Sequence, residues 1–272
     1  MSLVTLDVAS CTNVGQRRAL NEDSVLAHDP VFIVADGMGG HDAGDKASAI
    51  AVKELSKLGT SPSIEDVRDA LTRARWSIDC LDAAEPDSRR AAGTTVSGLV
   101  MVEQAGQPYW LVVNVGDSRT YHVVDGELKQ ISVDHSEVQE MIESGRLTQE
   151  SAHDYARRHV ITRVLGARTI EKPDYWLVPV EPAQRWMVCS DGLTGELSDH
   201  RIADILAQQP SPRVAVNTLV DEALAAGGRD NVSVIIVDVV GLDGADSCLD
   251  DQTIEEVISA DAFAEEVEGV AR

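Results

Sequence analysis

Five acidic clusters at the ends of short apolar runs carry the densest chemistry in this sequence. VFIVADG stops at Asp36, LVVNVGD at Asp117 and RWMVCSDG at Asp191, each aspartate beside a glycine. Asn21-Glu22-Asp23 precedes one apolar run, and Arg229-Asp230-Asn231 precedes another. An Asp-Gly pair after a strand is an ordinary turn signal, so any one of these sites says little by itself. Five in one core say more, because carboxylates at the edges of buried strands are costly unless paired or metal-bound. The basic residues within these motifs are Arg17, Arg18, Arg119 and Arg229. An all-oxygen set of carboxylates, waters and a backbone carbonyl suits Mg²⁺ or Mn²⁺ rather than zinc. Gly37, Gly39 and Gly40 allow the backbone to turn tightly beside such an ion.

The elements that must position these groups read as short strands rich in β-branched residues. They are expected at 31–35, 94–103, 109–115, 119–124, 128–131, 175–180, 186–189 and 232–240, with weaker candidates at 3–9 and 23–27. A helix over 44–58 would bring Ala47, Ile50, Ala51, Leu55 and Leu58 to one face. A second, over 63–81, opens with Ser63 and has Asp66 three residues later, an acidic first turn. Further helices are expected at 199–208 and 212–226, the latter with Pro212 in its first turn and Gly227-Gly228 as its stop. Strands cluster at 94–131 as an antiparallel meander, with helices grouped before and after. That order points to an α+β fold with antiparallel sheets rather than a doubly wound one. The polar stretch 138–166 reads as a helical insertion or flap.

The chain has 272 residues and a formal net charge of -23, from 46 acidic and 23 basic residues. Its apolar and charged fractions, 43% and 25%, are those of an ordinary globular protein. The sign of the charge, with no dense basic run, argues against nucleic acid as a partner. A protein this acidic that handles phosphate needs metal ions to reverse the local sign. Cys11, Cys80, Cys189 and Cys248 include no CxxC pair, which disfavours a zinc or redox site. Neither a secretory leader nor an apolar run of about 18 residues is present, so a cytoplasmic protein without membrane contact is expected. Residues 241–272 hold ten acidic residues against Arg272 alone. The core is therefore expected to span 1–240 and to be followed by an acidic tail dispensable for catalysis. Within the tail, Thr253 and Glu256 form a capping box, and Ile254, Val257 and Ile258 share a helical face.

Several segments together resemble the metal-dependent serine/threonine protein phosphatases, type 2C, in their bacterial form. They are Arg18-Ala-Leu-Asn21-Glu22-Asp23, ADGMGGH at 35–41, Ala92-Gly93-Thr94-Thr95, NVGDSR at 114–119, CSDGLT at 189–194 and GGRDN at 227–231. They occur in the family's order across 15–240. The resemblance implies a four-layer αββα sandwich with two central antiparallel β-sheets and a site at one end. It implies that Asp36 bridges two metals, that the Gly37 carbonyl ligates one of them, and that Asp191 and Asp230 complete the pair. Glu22 and Asp23 match the acidic element that serves the site directly or through water. Asp117 with Asp191 matches a third-metal site, and Arg18 matches the arginine that grips the substrate phosphate. Two or three Mn²⁺ or Mg²⁺ ions would then lower the pKa of a water that attacks phosphoserine or phosphothreonine. Asp36, Asp191 and Arg18 would carry catalysis. The expected partners are phosphorylated proteins and a bacterial Ser/Thr kinase whose action the enzyme opposes, and a monomer is expected.

Relatives from eukaryotes often have a histidine, proposed as general acid, two residues after the Asp36 position. Here that residue is Met38, and the leaving-group proton would come from His41, a metal-bound water or solvent. His122, His135, His153, His159 and His200 form no HxH or HExxH spacing, and Cys189 reads as core packing. Arg157-Arg158-His159 is a local positive cluster in the flap, a substrate contact or simply a solvated face. The competing functions are a catalytically silent phosphoprotein-binding module on the same fold and an acidic cation-binding protein of unrelated fold. Asp36, Asp117, Asp191 and Asp230 are all retained, which weighs against the former. No D-x-D-x-D-G calcium loop is present, which weighs against the latter.

Overall fold

Apolar runs such as VFIVA have no polar alternate face, so they need a layer on both sides. The computed structural model describes residues 3–39, 43–84, 91–124, 126–152, 155, 157, 160–168 and 172–243. The chain opens with strands β1 (Leu3–Asn13), β2 (Asp23–His28) and β3 (Val31–Met38), then helices α1 (Ala43–Leu55) and α2 (Ile64–Ala84). Next come β4 (Gly93–Thr94), β5 (Val96–Gln104), β6 (Gln107–Val115), β7 (Arg119–Val124) and β8 (Glu127–Gln130). The flap region holds α3 (Glu137–Glu143) and α4 (Gln149–Ala152), and β9 (Leu165–Gly166) follows. Then come β10 (Asp174–Pro179), β11 (Arg185–Cys189), α5 (Asp191–Thr194), α6 (Asp199–Gln208), α7 (Pro212–Ala226) and β12 (Val232–Asp243).

The strands form two antiparallel sheets. One has the order β1-β12-β11-β7-β8; the other runs β10-β6-β5-β3-β4-β9, with β2 also paired to β3. Period-two alternation assigns each side chain its layer. Phe32 and Val34 of β3 meet Trp110, Trp186, Val188, Ile235 and Val237 between the sheets. Val31, Ile33 and Ala35 turn the other way, onto Ala47, Ala51 and Leu55 of α1 and Val67, Leu71 and Ile78 of α2. Met187, Cys189, Val234 and Ile236 pack instead on Ile202 and Ile205 of α6 and Val216 and Leu219 of α7. The result is the αββα sandwich.

Local chemistry sets the helix limits. Ser63 and Asp66 cap α2 reciprocally: the Ser63 N–H donates to Asp66 Oδ2 at 2.8 Å, and the Asp66 N–H donates to Ser63 Oγ at 3.1 Å. Pro212 starts α7, and the N–H groups of Gly227 and Gly228 return to the Leu224 and Ala223 carbonyls to end it. Among the described residues no helix is long and apolar enough to cross a membrane.

The expected meander over 94–131 is corrected. β5–β6 and β7–β8 are separate hairpins in different sheets, and the chain crosses between them at Gly116–Ser118. Alternation marks a strand's two faces but does not say which sheet the strand joins. The last strand continues three residues past Val240, pairing Gly241, Leu242 and Asp243 with Thr5, Val4 and Leu3. His41, His153, Arg158, His159, Cys248 and the segment Thr253–Ile258 lie outside the described residues.

Candidate metal centre

β2 and β3 pair so that Asp23 stands directly opposite Asp36. Directly opposed residues project to the same face, so two carboxylates sit side by side at the end of the β2–β3 ladder, and β3 runs on to Met38 against β4. The pairing extends one step further: the Gly37 N–H donates to the Glu22 carbonyl at 3.1 Å, and Ser48 of α1 donates to the same carbonyl at 2.6 Å. From the other sheet, Asn231 reaches across. Its Oδ1 accepts from the Glu22 N–H at 2.8 Å, and its Nδ2 donates to the Val14 and Leu20 carbonyls at 2.9 and 3.0 Å. This ties Asp230, at the start of β12, to the loop that carries Arg18 and Glu22. Arg18 Nη2 donates to Asp230 Oδ2 at 2.7 Å, while Nη1 lies 3.7 Å from Glu22 Oε2. Asp191 follows β11 and opens α5.

The backbone of Asp36 is held on both sides. Its N–H donates to Thr95 Oγ1 at 2.9 Å, and its carbonyl accepts from the Thr95 N–H at 2.8 Å and Thr94 Oγ1 at 2.9 Å. Thr95 Oγ1 in turn lies 2.7 Å from Ser118 Oγ, next to Asp117. Asp23 is buried; its Oδ2 accepts from Ser190 Oγ at 2.8 Å and Ser233 Oγ at 2.6 Å.

A cleft of about 510 Å³ opens here, its walls including Arg18, Glu22, Asp36, Gly37, Asp191 and Asp230 together with Met38, Ile161, Glu196 and Arg229. Asp23 and Asp117 are buried and are not among its walls. Burial, followed by repulsion from Asp23, Asp191, Asp117 and Asp230, pushes the Asp36 carboxyl well above the usual aspartate range. Burial and then Asp191 do the same to Asp117. Burial raises Asp23 to about 6, against the lowering effect of the Ser233 and Ser190 hydroxyls.

The residues present fit a hard cation. Asp23 Oδ1 and Asp117 Oδ1 are buried with no hydrogen-bond partner, a costly condition for a carboxylate that a cation would relieve. Every donor is oxygen, as Mg²⁺ and Mn²⁺ prefer. Among the described residues no three Asp, Glu, His or Cys side chains close a ready-made cage. Each ion would be held by one or two carboxylates with water completing its shell, the habit of Mg²⁺.

Some functional residues escaped the sequence reading. Glu196, almost wholly buried, receives a fork from Arg229: Nε to Oε1 and Nη2 to Oε2, both at 2.9 Å. Nothing in the spacing marks that pair, which lies 33 positions apart. Ser190 and Thr95 could have been found, since both fall inside the quoted motifs. No histidine among the described residues lines the cleft. His122 lies flat on Trp186, ring centroids 4.1 Å apart, and burial lowers it to about 4. Arg157 pairs with Glu137 at 2.7 Å, and burial pushes the Cys189 thiol up, in keeping with a packing role.

Fold and site together define an αββα sandwich with an acidic, arginine-bearing cleft at the seam of its two sheets. Residues 15–226 match the protein phosphatase 2C family, and the chain belongs to it. The serine/threonine protein phosphatase PstP of Mycobacterium tuberculosis is 37% identical over 248 residues, covering 89% of this chain and 47% of PstP. This chain thus spans about half the length of that relative. The serine/threonine phosphatase Stp of Listeria welshimeri is 32% identical over 240 residues, covering 84% of this chain and 93% of Stp. The crystal structure of the PstP catalytic domain in complex with two manganese ions superposes with a TM-score of 0.79 at 35% identity. It covers 88% of this chain and 100% of that one.

Proposed function

We propose that this chain hydrolyses phosphoserine and phosphothreonine on proteins at a centre of two or three Mn²⁺ or Mg²⁺ ions. The observation that carries the reading is the set of mutually repelling carboxylates Asp23, Asp36, Asp117, Asp191 and Asp230, two of which hold a buried oxygen without a hydrogen-bond partner, beside a cleft whose wall includes Arg18. Asp36, the Gly37 carbonyl, Asp191 and Asp230 would hold two of these ions. Glu22 and Asp23 would serve them directly or through water, and Asp117 with Asp191 would hold a third. Bound there, such ions activate water near neutral pH and neutralise charge on the phosphoryl oxygens. The chain itself supplies position and no nucleophile, which suits phosphoryl transfer. Arg18, half exposed and anchored to Asp230 through one terminal nitrogen, offers its fork to the phosphate. With Met38 on the cleft wall, the leaving oxygen takes its proton from His41 or from water. In the cell the enzyme opposes a Ser/Thr kinase, as a cytoplasmic monomer.

Turnover of p-nitrophenyl phosphate with and without Mn²⁺ tests the reading. Activity with the metal and none in excess chelator is expected; no turnover at saturating Mn²⁺ would favour the silent phosphoprotein-binding module.

Arg18→Ala should raise KM for a phosphopeptide about tenfold, the worth of a charge-assisted hydrogen bond, with kcat changed far less. Steady-state kinetics at fixed Mn²⁺ read this directly, and an unchanged kcat/KM would remove Arg18 from the substrate site.

A further inference from the structure

The turn that carries Asp117 is built on one histidine. At Gly116 the chain leaves β6 for β7, with φ at +106°, and a Cβ there would come within 2.5 Å of Thr95 Cγ2. That conformation belongs to glycine. A turn this close needs its polar groups satisfied; His135 meets both, and Asn114 Nδ2 also donates to the Gly116 carbonyl at 3.2 Å. The His135 N–H donates to the Gly116 carbonyl at 2.8 Å, and the Gly116 N–H donates to His135 Nδ1 at 3.1 Å. Because Nδ1 accepts, the proton of the neutral ring sits on Nε2, which donates to Asp174 Oδ2 at 2.9 Å. Asp174 lies at the start of β10, and Arg163 Nη1 donates to its other oxygen at 3.3 Å; Nη1 also lies 3.3 Å from His135 Nε2, a contact that is not a hydrogen bond while Nε2 carries the proton. The same histidine meets the flap, where the Thr162 N–H donates to the His135 carbonyl at 2.8 Å, beside the cleft residue Ile161.

We propose that His135 is a positioning residue: Asp174 fixes its tautomer, and its ring fixes the Gly116–Asp117 turn, so that Asp117 is held beside Asp191 for metal binding. The proposal rests on the metal-dependent reading above. Its chemistry is that of outer partners that orient a ligand, whose loss weakens metal binding about 10–100-fold. His135 is buried and is not among the residues that line the cleft, so on this proposal it acts through Asp117.

Mn²⁺ binding to the full chain, followed by isothermal titration calorimetry, tests this with Asp117→Asn as the reference. His135→Ala should weaken, about 10–100-fold, the same binding component that Asp117→Asn weakens, and leave the component lost in Asp36→Asn intact. His135→Asn places an amide oxygen where Nδ1 sits and should recover much of the loss; His135→Gln should not. An unchanged isotherm for His135→Ala, a loss spread equally over both components, or an Asn variant no better than Ala would overturn the proposal. Should His135→Ala not fold, Asp174→Asn at a half-exposed position decides. Weakening of the Asp117 component supports the proposal, and an unchanged isotherm overturns it. Wild-type protein that binds no Mn²⁺ would overturn the metal-dependent reading as well, whereas unchanged variants overturn this proposal alone.

Discussion

Asp36→Asn and Asp191→Asn should each lower kcat on p-nitrophenyl phosphate roughly a thousandfold or more at saturating Mn²⁺, with the fold retained. Each removes an anionic donor without changing side-chain size, so metal affinity and the water activation that depends on it fall together. The same Asp36 substitution should stabilise the protein in chelator. The folded-state pKa of Asp36 is raised above its ordinary value of 3.8. The stability this group contributes is therefore fully present below pH 3.8 and is lost as pH rises through the folded-state value. Asparagine does not titrate. Melting curves in EDTA should show wild type falling behind Asp36→Asn as pH climbs above about 4. Asp23, raised to about 6, steepens the wild-type decline over 3.8 to 6. Excess Mn²⁺ should reverse the order at neutral pH, because only wild type then gains the full binding free energy. Near-normal turnover in either variant would refute the assignment, and a wild type more stable than Asp36→Asn in EDTA at pH 7 would refute the electrostatic account.

Gly37→Ala should be nearly as damaging, for a different reason. A Cβ on Gly37 would come 2.1 Å from the Gly44 carbonyl oxygen and 2.6 Å from the Glu22 carbonyl oxygen. All are backbone atoms, so no side chain can swing aside. The end of β3 would have to part from α1 or from Glu22, at a cost of about 3 kcal/mol. Either movement shifts the carbonyl proposed as a metal donor and the neighbouring Asp36. A lowered melting temperature together with loss of most Mn²⁺-dependent turnover is expected. Wild-type values for both would show that β3 and α1 are not packed as described.

The sequence disclosed what is local or periodic. VFIVADG reads as a strand buried on both faces and ending in a carboxylate, and the structure has Val31–Ala35 buried with Asp36 on the cleft wall. Pro212 and Gly227-Gly228 bound a helix that forms over the expected 212–226. Pairing between distant positions left no periodic trace. The Glu196–Arg229 fork and the sharing of Asp23 by Ser190 and Ser233 join residues far apart in sequence that only the tertiary fold brings together. Two-residue strands such as β4 and β9 are too short to show any period. The crossing at Gly116–Ser118 was missed because the strands from 94 to 131 are short runs, β5 and β6 buried over most of their length, and such runs fit either sheet.

That crossing also says something about how the cleft responds to mechanical disturbance. Asp23 and Asp36 belong to one sheet, Asp191 and Asp230 flank strands of the other, and Asp117 stands on one of the segments that pass between them. An ion held as proposed, between Asp36 and Asp191 or Asp230, would act as a rivet through the mouth of the sandwich. Prising the two sheets apart at that end by an ångström would break the shared coordination while leaving the Trp110–Trp186 packing between the sheets closed. The geometry of such a centre would be as stiff as the seam, which the Thr95–Ser118 hydroxyl contact stitches together with the bonds from Ser190 and Ser233 to Asp23.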